Sequence, residues 1–281
     1  MTYARPDRLE AALAALARTP HLVLAGGTDV YPAFVGRALE RPVLDLSALD
    51  AMRGVAVVDG ALRIGALTTW SEIARLPLPR HCAALAQAAR EIGGLQIQNR
   101  GTIGGNLCNA SPAADGIPPL LALDASVELA SANGARTLPL AQFVVGNRRT
   151  ACRPDELLVA VRVPARSAAA ASTFLKLGHR RYLVISIAMA AVVLDFDAAD
   201  RVAYCGVAVG ACSAAAQRLP VLESGLLGAT RAEAGARAAA LLSRPEALAP
   251  LAPIDDVRGT RAYRLDAVRR LLARAFAELT S

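Results

Sequence analysis

Two glycine-rich segments hold the residues best suited to chemistry. The first runs Leu24-Ala25-Gly26-Gly27-Thr28-Asp29-Val30. Glycines after a short apolar run let the backbone turn sharply and bring amide N–H groups close to an anion. A helical pattern resumes at Val30, and a helix N-terminus favours phosphate. Thr28 and Asp29 suit either a ligand contact or a helix cap. The spacing is neither G-x-G-x-x-G nor that of a Walker A loop, so the usual nucleotide signatures are absent. The second segment extends from Gln96 to Asp115 and includes Arg100-Gly101-Thr102-Ile103-Gly104-Gly105-Asn106 and Ala110-Ser111-Pro112-Ala113-Ala114-Asp115. It is rich in Gly and Asn and has little hydrophobic period. It reads as a long loop wrapped around a polar ligand, because long ordered loops are usually functional.

Other chemistry is sparse. His21, His81 and His179 are far apart in sequence. Cys82, Cys108, Cys152, Cys205 and Cys212 show no C-x₂-C spacing, so no metal or cluster site is expected. They read as reduced thiols, with Cys108 a small packing residue. No side-chain pair suggests an acid–base or nucleophilic dyad. Lys176 stands apart as the one lysine among 31 basic residues, which suggests that a compact point charge is needed there.

The elements that must position these residues follow from periodicity. Asp7–Arg18 has the spacing of a helix and His21–Ala25 that of a buried strand. Pro42–Leu46 is another short strand. Asp59-Gly60 lies between Val55–Val58 and Ala61–Ala66, which predicts a hairpin with a type I′ turn. Helices are expected over Thr69–Arg75, Arg80–Glu91 and Gly116–Leu123, and strands over Val127–Ala130 and Leu157–Val163, with Asn133-Gly134 as a second hairpin turn. The small residues from Arg166 to Ser172 read as a linker. Beyond it come strands Thr173–Leu177, Ile185–Phe196 and Val202–Ala211. Helices Leu219–Leu226, Arg231–Leu242 and Arg261–Leu279 follow. This order predicts an α+β chain, with domains at 1–165 (parts of about 1–52 and 53–165) and 172–281.

Composition excludes several classes. At 281 residues the chain can bury cores without staples. No apolar stretch approaches the roughly 18 residues of a membrane span; Leu183–Leu194 reads as buried core. Arg5, Asp7, Arg8 and Glu10 interrupt the place of a signal-peptide core, so a cytoplasmic location is expected. The net charge is +7. The basic residues are nonetheless scattered and aromatics are only 4%, which argues against nucleic-acid binding.

Together the two segments resemble the FAD-binding medium subunits of molybdenum hydroxylases, the xanthine dehydrogenase and carbon monoxide dehydrogenase family. Asp155-Glu156-Leu157-Leu158, Lys176 and Arg180-Arg181 agree in order. The resemblance runs over nearly the whole chain. It implies a two-part FAD-binding domain of the vanillyl-alcohol-oxidase-like type. An α+β domain of antiparallel sheet plus helices would follow.

The resemblance further implies that Val23, Leu24, Ala25, Gly26, Gly27, Thr28, Asp29 and Val30 hold the FAD pyrophosphate mainly through backbone amides. Thr102, Ile103, Gly104, Gly105 and Asn106 would do the same. Asn109 and Ser111 would bond near the phosphates or ribityl chain, and Asp115 would accept from the nucleotide half or the ribityl hydroxyls. Leu158 would pack near the flavin ring, Lys176 would lie at its edge, and Tyr182 would gate it. Ile92 stands where the family often has an aromatic beside the flavin. Leu183, Val184 and Ile185 replace residues that are often acidic in xanthine dehydrogenases, which weakens an NAD assignment.

The implied partners are a large subunit with the molybdenum cofactor, a small [2Fe–2S] subunit, and an acceptor such as NAD, a quinone or a carrier protein. A stand-alone FAD oxidoreductase would need a substrate base, and often a covalent flavin attachment, neither of which is evident. A cofactor-free scaffold is the other alternative.

Overall fold

Short-range signals set most element boundaries in the computed structural model, which describes residues 2–281. The chain opens with β1 (Tyr3–Ala4), α1 (Leu9–Arg18), β2 (Leu22–Leu24), α2 (Val30–Ala33) and β3 (Val43–Asp45). The apolar stripe of α1 buries Ala12, Leu13, Ala15 and Leu16. The strands form a parallel sheet in the order β1-β3-β2.

An antiparallel sheet follows. β4 (Val55–Val58) and β5 (Ala61–Gly65) pair across Asp59-Gly60. The φ angles of these two residues, 50° and 75°, are both positive, as a type I′ turn requires. The second hairpin differs from expectation by one residue. β6 (Ser126–Ser131) pairs with β7 (Gly134–Pro139), and Ser131 lies opposite Gly134, so Ala132 and Asn133 make the turn. The Ser131 hydroxyl closes it, accepting from the Asn133 amide and donating to the Gly134 carbonyl.

Between the two hairpins lie α3 (Trp70–Arg75), α4 (Ala83–Glu91), α5 (Leu95–Gln98), α6 (Ile103–Asn109) and α7 (Ile117–Ala122). After β7 come α8 (Leu140–Phe143), the small hairpin β8 (Val144–Gly146) and β9 (Arg149–Thr150), and β10 (Leu157–Val163). β10 returns to the middle of the sheet, whose order is β4-β5-β10-β6-β7.

The segment expected as a long loop is therefore partly helical. Thr102 caps α6, its side chain accepting from the Gly105 amide at 3.0 Å. Two glycines each cost a helix about 1 kcal/mol of propensity, and tertiary docking overrides this.

The last third forms β11 (Ala171–Leu177), β12 (Ala188–Phe196), β13 (Val202–Gly210), β14 (Gln217–Arg218), α9 (Pro220–Leu226), α10 (Arg231–Leu242) and α11 (Arg261–Thr280). The four strands are antiparallel in sequence order. β12 is buried along its whole length. Met189, Ala191 and Val193 join the core of the N-terminal part. Ala188, Ala190, Val192 and Leu194 face a second core under α10 and α11. A strand buried on both faces reads as one apolar run, which explains Ala188–Leu194; the expected start of that run lies in the loop before β12, where Leu183 and Ile185 are exposed. Each buried Val or Leu contributes about 1.5–3 kcal/mol.

The segment that reads as a linker is pinned. Arg166 lies over the Tyr204 ring at 3.3 Å and pairs with Asp124 at 2.9 Å. Ser167 bonds Asp195, and β11 begins two residues before the expected Thr173. Among the described residues, no helix is long and apolar enough to cross a membrane.

Candidate cofactor site

The first glycine segment leaves β2 as an open turn. None of the five amides from Ala25 to Asp29 donates to a backbone or side-chain acceptor among the described residues. Asp29 stands at the start of α2, but its side chain caps no amide. Gly26 is needed for close approach, since a Cβ there would lie 1.9 Å from the Arg100 carbonyl oxygen. This contact brings the two segments together.

The second segment behaves differently. Ile103 donates to Thr68 O, Gly104 to Ala66 O, Gly105 to Thr102 Oγ1 and Asn106 to Thr102 O, at 2.8–3.0 Å. Four amides in the stretch expected to hold a pyrophosphate are thus already committed. The first two lock α6 to the segment just after β5, where a Cβ on Gly104 would lie 2.7 Å from Ala66 Cβ, and the other two close the first turn of α6 on Thr102. What α6 offers instead is a side chain. Asn106 Oδ1 is buried without a hydrogen-bond partner.

These elements enclose a cavity of about 450 Å³. Its walls include Val23, Ala25, Gly26, Gly27, Thr28, Asp29, Val30, Ile92, Thr102, Gly104, Gly105, Asn106, Asn109 and Leu158. Leu24 and Ile103 are on the same elements, but their side chains are buried in the protein interior. Ser111 and Asp115 also lie off the wall. The Ser111 hydroxyl accepts from the Ala113 amide at 3.3 Å.

Asp115 meets Lys176 instead. Lys176 Nζ donates to Asp115 Oδ2 at 2.7 Å and to the Glu91 carbonyl at 3.0 Å, and Ser186 Oγ donates to Asp115 Oδ1 at 2.5 Å. Both charged side chains are under a tenth exposed. Burial pushes the Asp115 carboxyl above its ordinary value, and Lys176 draws it back down. The lone lysine therefore holds the C-terminal end of α4, next to Ile92 on the cavity wall. Tyr182 is exposed and off the wall, while its neighbour Leu183 reaches Gly94.

Several wall residues carry no functional signal in the sequence. Trp70, Leu46, Met52 and Ala66 read as core, and His21 as an isolated histidine. Cys108 reads as a packing residue, yet it is exposed on the wall, and Cys152 lines the same cavity. Arg153 and Glu156 are also on the wall. Arg136 bonds both Glu156 oxygens, at 2.7 and 2.9 Å, and holds this carboxyl well below its usual range, at about 2.

An open row of amides beside an unpartnered carbonyl oxygen suits an anionic ligand that also has hydrogen-bond donors. A family profile described as the FAD binding domain in molybdopterin dehydrogenase matches residues 1–166. The chain belongs to this family. A second profile, the CO dehydrogenase flavoprotein C-terminal domain, matches residues 173–279.

Relatives in the family include the nicotine 6-hydroxylase medium subunit of Paenarthrobacter nicotinovorans. It is 32% identical over 98% of this chain and 96% of its own length. The nicotinate dehydrogenase FAD-subunit of Eubacterium barkeri is 38% identical over 63% of this chain, and the match spans only 62% of that subunit. Among solved structures, a chain of carbon monoxide dehydrogenase from Hydrogenophaga pseudoflava superposes with a TM-score of 0.88. It is 28% identical and covers 99% of this chain and 96% of its own. The α+β fold, with an FAD-binding part and a C-terminal part, is shared with that chain.

Proposed function

We propose that the chain is the FAD-binding electron-transfer subunit of a molybdenum-containing hydroxylase or dehydrogenase. It would work beside a large molybdenum-cofactor subunit and a small [2Fe–2S] subunit. The observation that carries this reading is the row of amides from Ala25 to Asp29, open to the cavity and without internal acceptors. A row of amides without internal acceptors on a concave wall can turn its N–H groups to an anionic ligand. The family match identifies that ligand as FAD.

The amides of Ala25, Gly26, Gly27, Thr28 and Asp29 would take the pyrophosphate, and Val23 and Val30 would flank it. Asn106 Oδ1 would accept from a ligand hydroxyl or amide, and Thr102, Gly104, Gly105 and Asn109 would shape the same wall. Leu158, which shares a core with Leu46 and Met52, would pack near the flavin ring. Ile92 would lie beside the flavin. Leu24, Ile103, Ser111, Asp115 and Lys176 would support the site from behind, and Tyr182 would gate it from the loop after β11.

When bound, FAD supplies transfer of one or two electrons, the chemistry needed between one-electron clusters and an acceptor such as NAD, a quinone or a carrier protein. The protein supplies position and electrostatics. The proposed division is a cofactor domain of 1–165, in parts of 1–52 and 53–165, and a second domain of 172–281.

The test is to purify the chain, release any chromophore with acid, identify it, and titrate the stripped protein with FAD. Stoichiometric non-covalent FAD is the expected result. A protein that takes up no FAD, even with its partner subunits, would refute the reading.

A further inference from the structure

Among the described residues, the cavity wall carries one permanent cation, Arg153. It is oriented from one side. Glu156 accepts from Arg153 Nε at 2.9 Å, from Nη2 at 2.7 Å and from the Arg153 amide at 2.8 Å. Glu156 is itself 1% exposed and clamped by Arg136. Arg153 Nη1 has no acceptor among the described residues, and the side chain stays 59% exposed while lining the cavity. A guanidinium fixed by a buried carboxylate, with one edge open, is a pre-organised donor for phosphate or vicinal hydroxyls.

α6 shows which part of a long ligand Arg153 meets. Its N-terminal end lies against the first glycine turn, through Gly26 and the Arg100 carbonyl. Its last turn, roughly 10 Å further on at 1.5 Å per residue, carries Cys108 and Asn109. There Arg148 bonds Asn109 at 2.6 Å and α6 packs on β9, close to Cys152 and Arg153. Ile92, the side chain expected beside the flavin, lies towards the other end: its neighbour Gly93 packs against Ile97, whose carbonyl accepts from the Gly101 amide just before α6. It follows Glu91, whose carbonyl is tied to Lys176 of the C-terminal sheet.

We propose that Arg153 binds the adenosine-diphosphate half of the cofactor, donating from Nη1 to a phosphate or ribose oxygen, with Glu156 as its positioning residue. This rests on the FAD reading above. It makes Arg153 a determinant of dinucleotide over mononucleotide flavin.

The experiment is calorimetric titration of nucleotide-stripped protein with FAD and, separately, with ADP, for wild type, Arg153→Ala and Arg153→Lys. Arg153→Ala is expected to weaken both ligands by about the same factor, roughly tenfold for one charge-assisted bond at a half-open site. Arg153→Lys should fall between alanine and wild type, because it keeps the charge and loses the fork. The thermal midpoint without nucleotide should fall only modestly, because Glu156 keeps both bonds to Arg136. Unchanged affinities in both variants would overturn the proposal. So would a loss for FAD with none for ADP, which would move the contact to the flavin half. A wild-type protein that binds neither ligand would refute the FAD reading itself.

Discussion

The two glycine segments look alike in sequence and do opposite things with their amides. From Ala25 to Asp29 the amides are open, and the turn is held by its neighbours. From Ile103 to Asn106 they are used internally, and the glycines allow α6 to press against Ala66. A Gly-Gly pair thus marks a place where backbone comes close to something. It does not say whether that partner is a ligand or the protein itself.

The largest effect expected from this contrast is at Gly26. Gly26→Ala would place a Cβ 1.9 Å from the Arg100 oxygen, a backbone atom that cannot step aside. A stability loss of about 3 kcal/mol or more is expected, with loss of retained FAD. Gly104→Ala meets Ala66 Cβ at 2.7 Å and should cost about 2 kcal/mol with FAD still bound. Urea unfolding and flavin content of both variants check this. Equal retention of FAD would erase the distinction.

The tail of the second segment sharpens it further. If Asp115 is an anchor rather than a ligand contact, Lys176→Met should destabilise even the nucleotide-free protein by about 3 kcal/mol, through the unpaired buried carboxylate. A normal midpoint with impaired FAD binding would return Lys176 to the ligand.

The wall facing both segments gives a pH test. The Glu156 pKa is depressed from 4.5 to about 2. The folded state therefore binds fewer protons than the unfolded state between these values. Its stabilisation is present above about pH 4.5 and is lost as pH falls towards about 2. On the order of 2 kcal/mol is expected after screening of the two partly exposed arginines. Glu156→Gln should flatten that part of the urea-midpoint profile.

The smallest effect has a distinctive sign. Asn106→Ala removes a buried oxygen with no partner in the nucleotide-free protein. FAD affinity should fall about fivefold, while stability without nucleotide stays level or rises. A fall in both would mean that Asn106 is structural, and that the second segment contributes only packing.

The sequence by itself determined what depends on neighbours along the chain. The stripe of α1, the Asp59-Gly60 turn, the span of β10 and the start of α10 all follow from local sterics, period and capping. The two-sided burial of β12 was legible as well, because a strand with no wet face must be apolar throughout. Family membership was legible because two unusual glycine motifs occur together in one chain.

Tertiary structure alone decided the rest. Whether an amide is open or committed depends on what docks against it, and residues far away in sequence, such as Ala66 and Thr68, decide that for α6. Lys176 met Asp115 across 61 positions, a pairing set by how β11 packs on α4. Arg153 reached the cavity through the return of the chain into β10 and Cys108 through the docking of α6, and no local pattern encodes either path. Hydrogen bonding and burial are properties of neighbours in space, and only the folded chain specifies those neighbours.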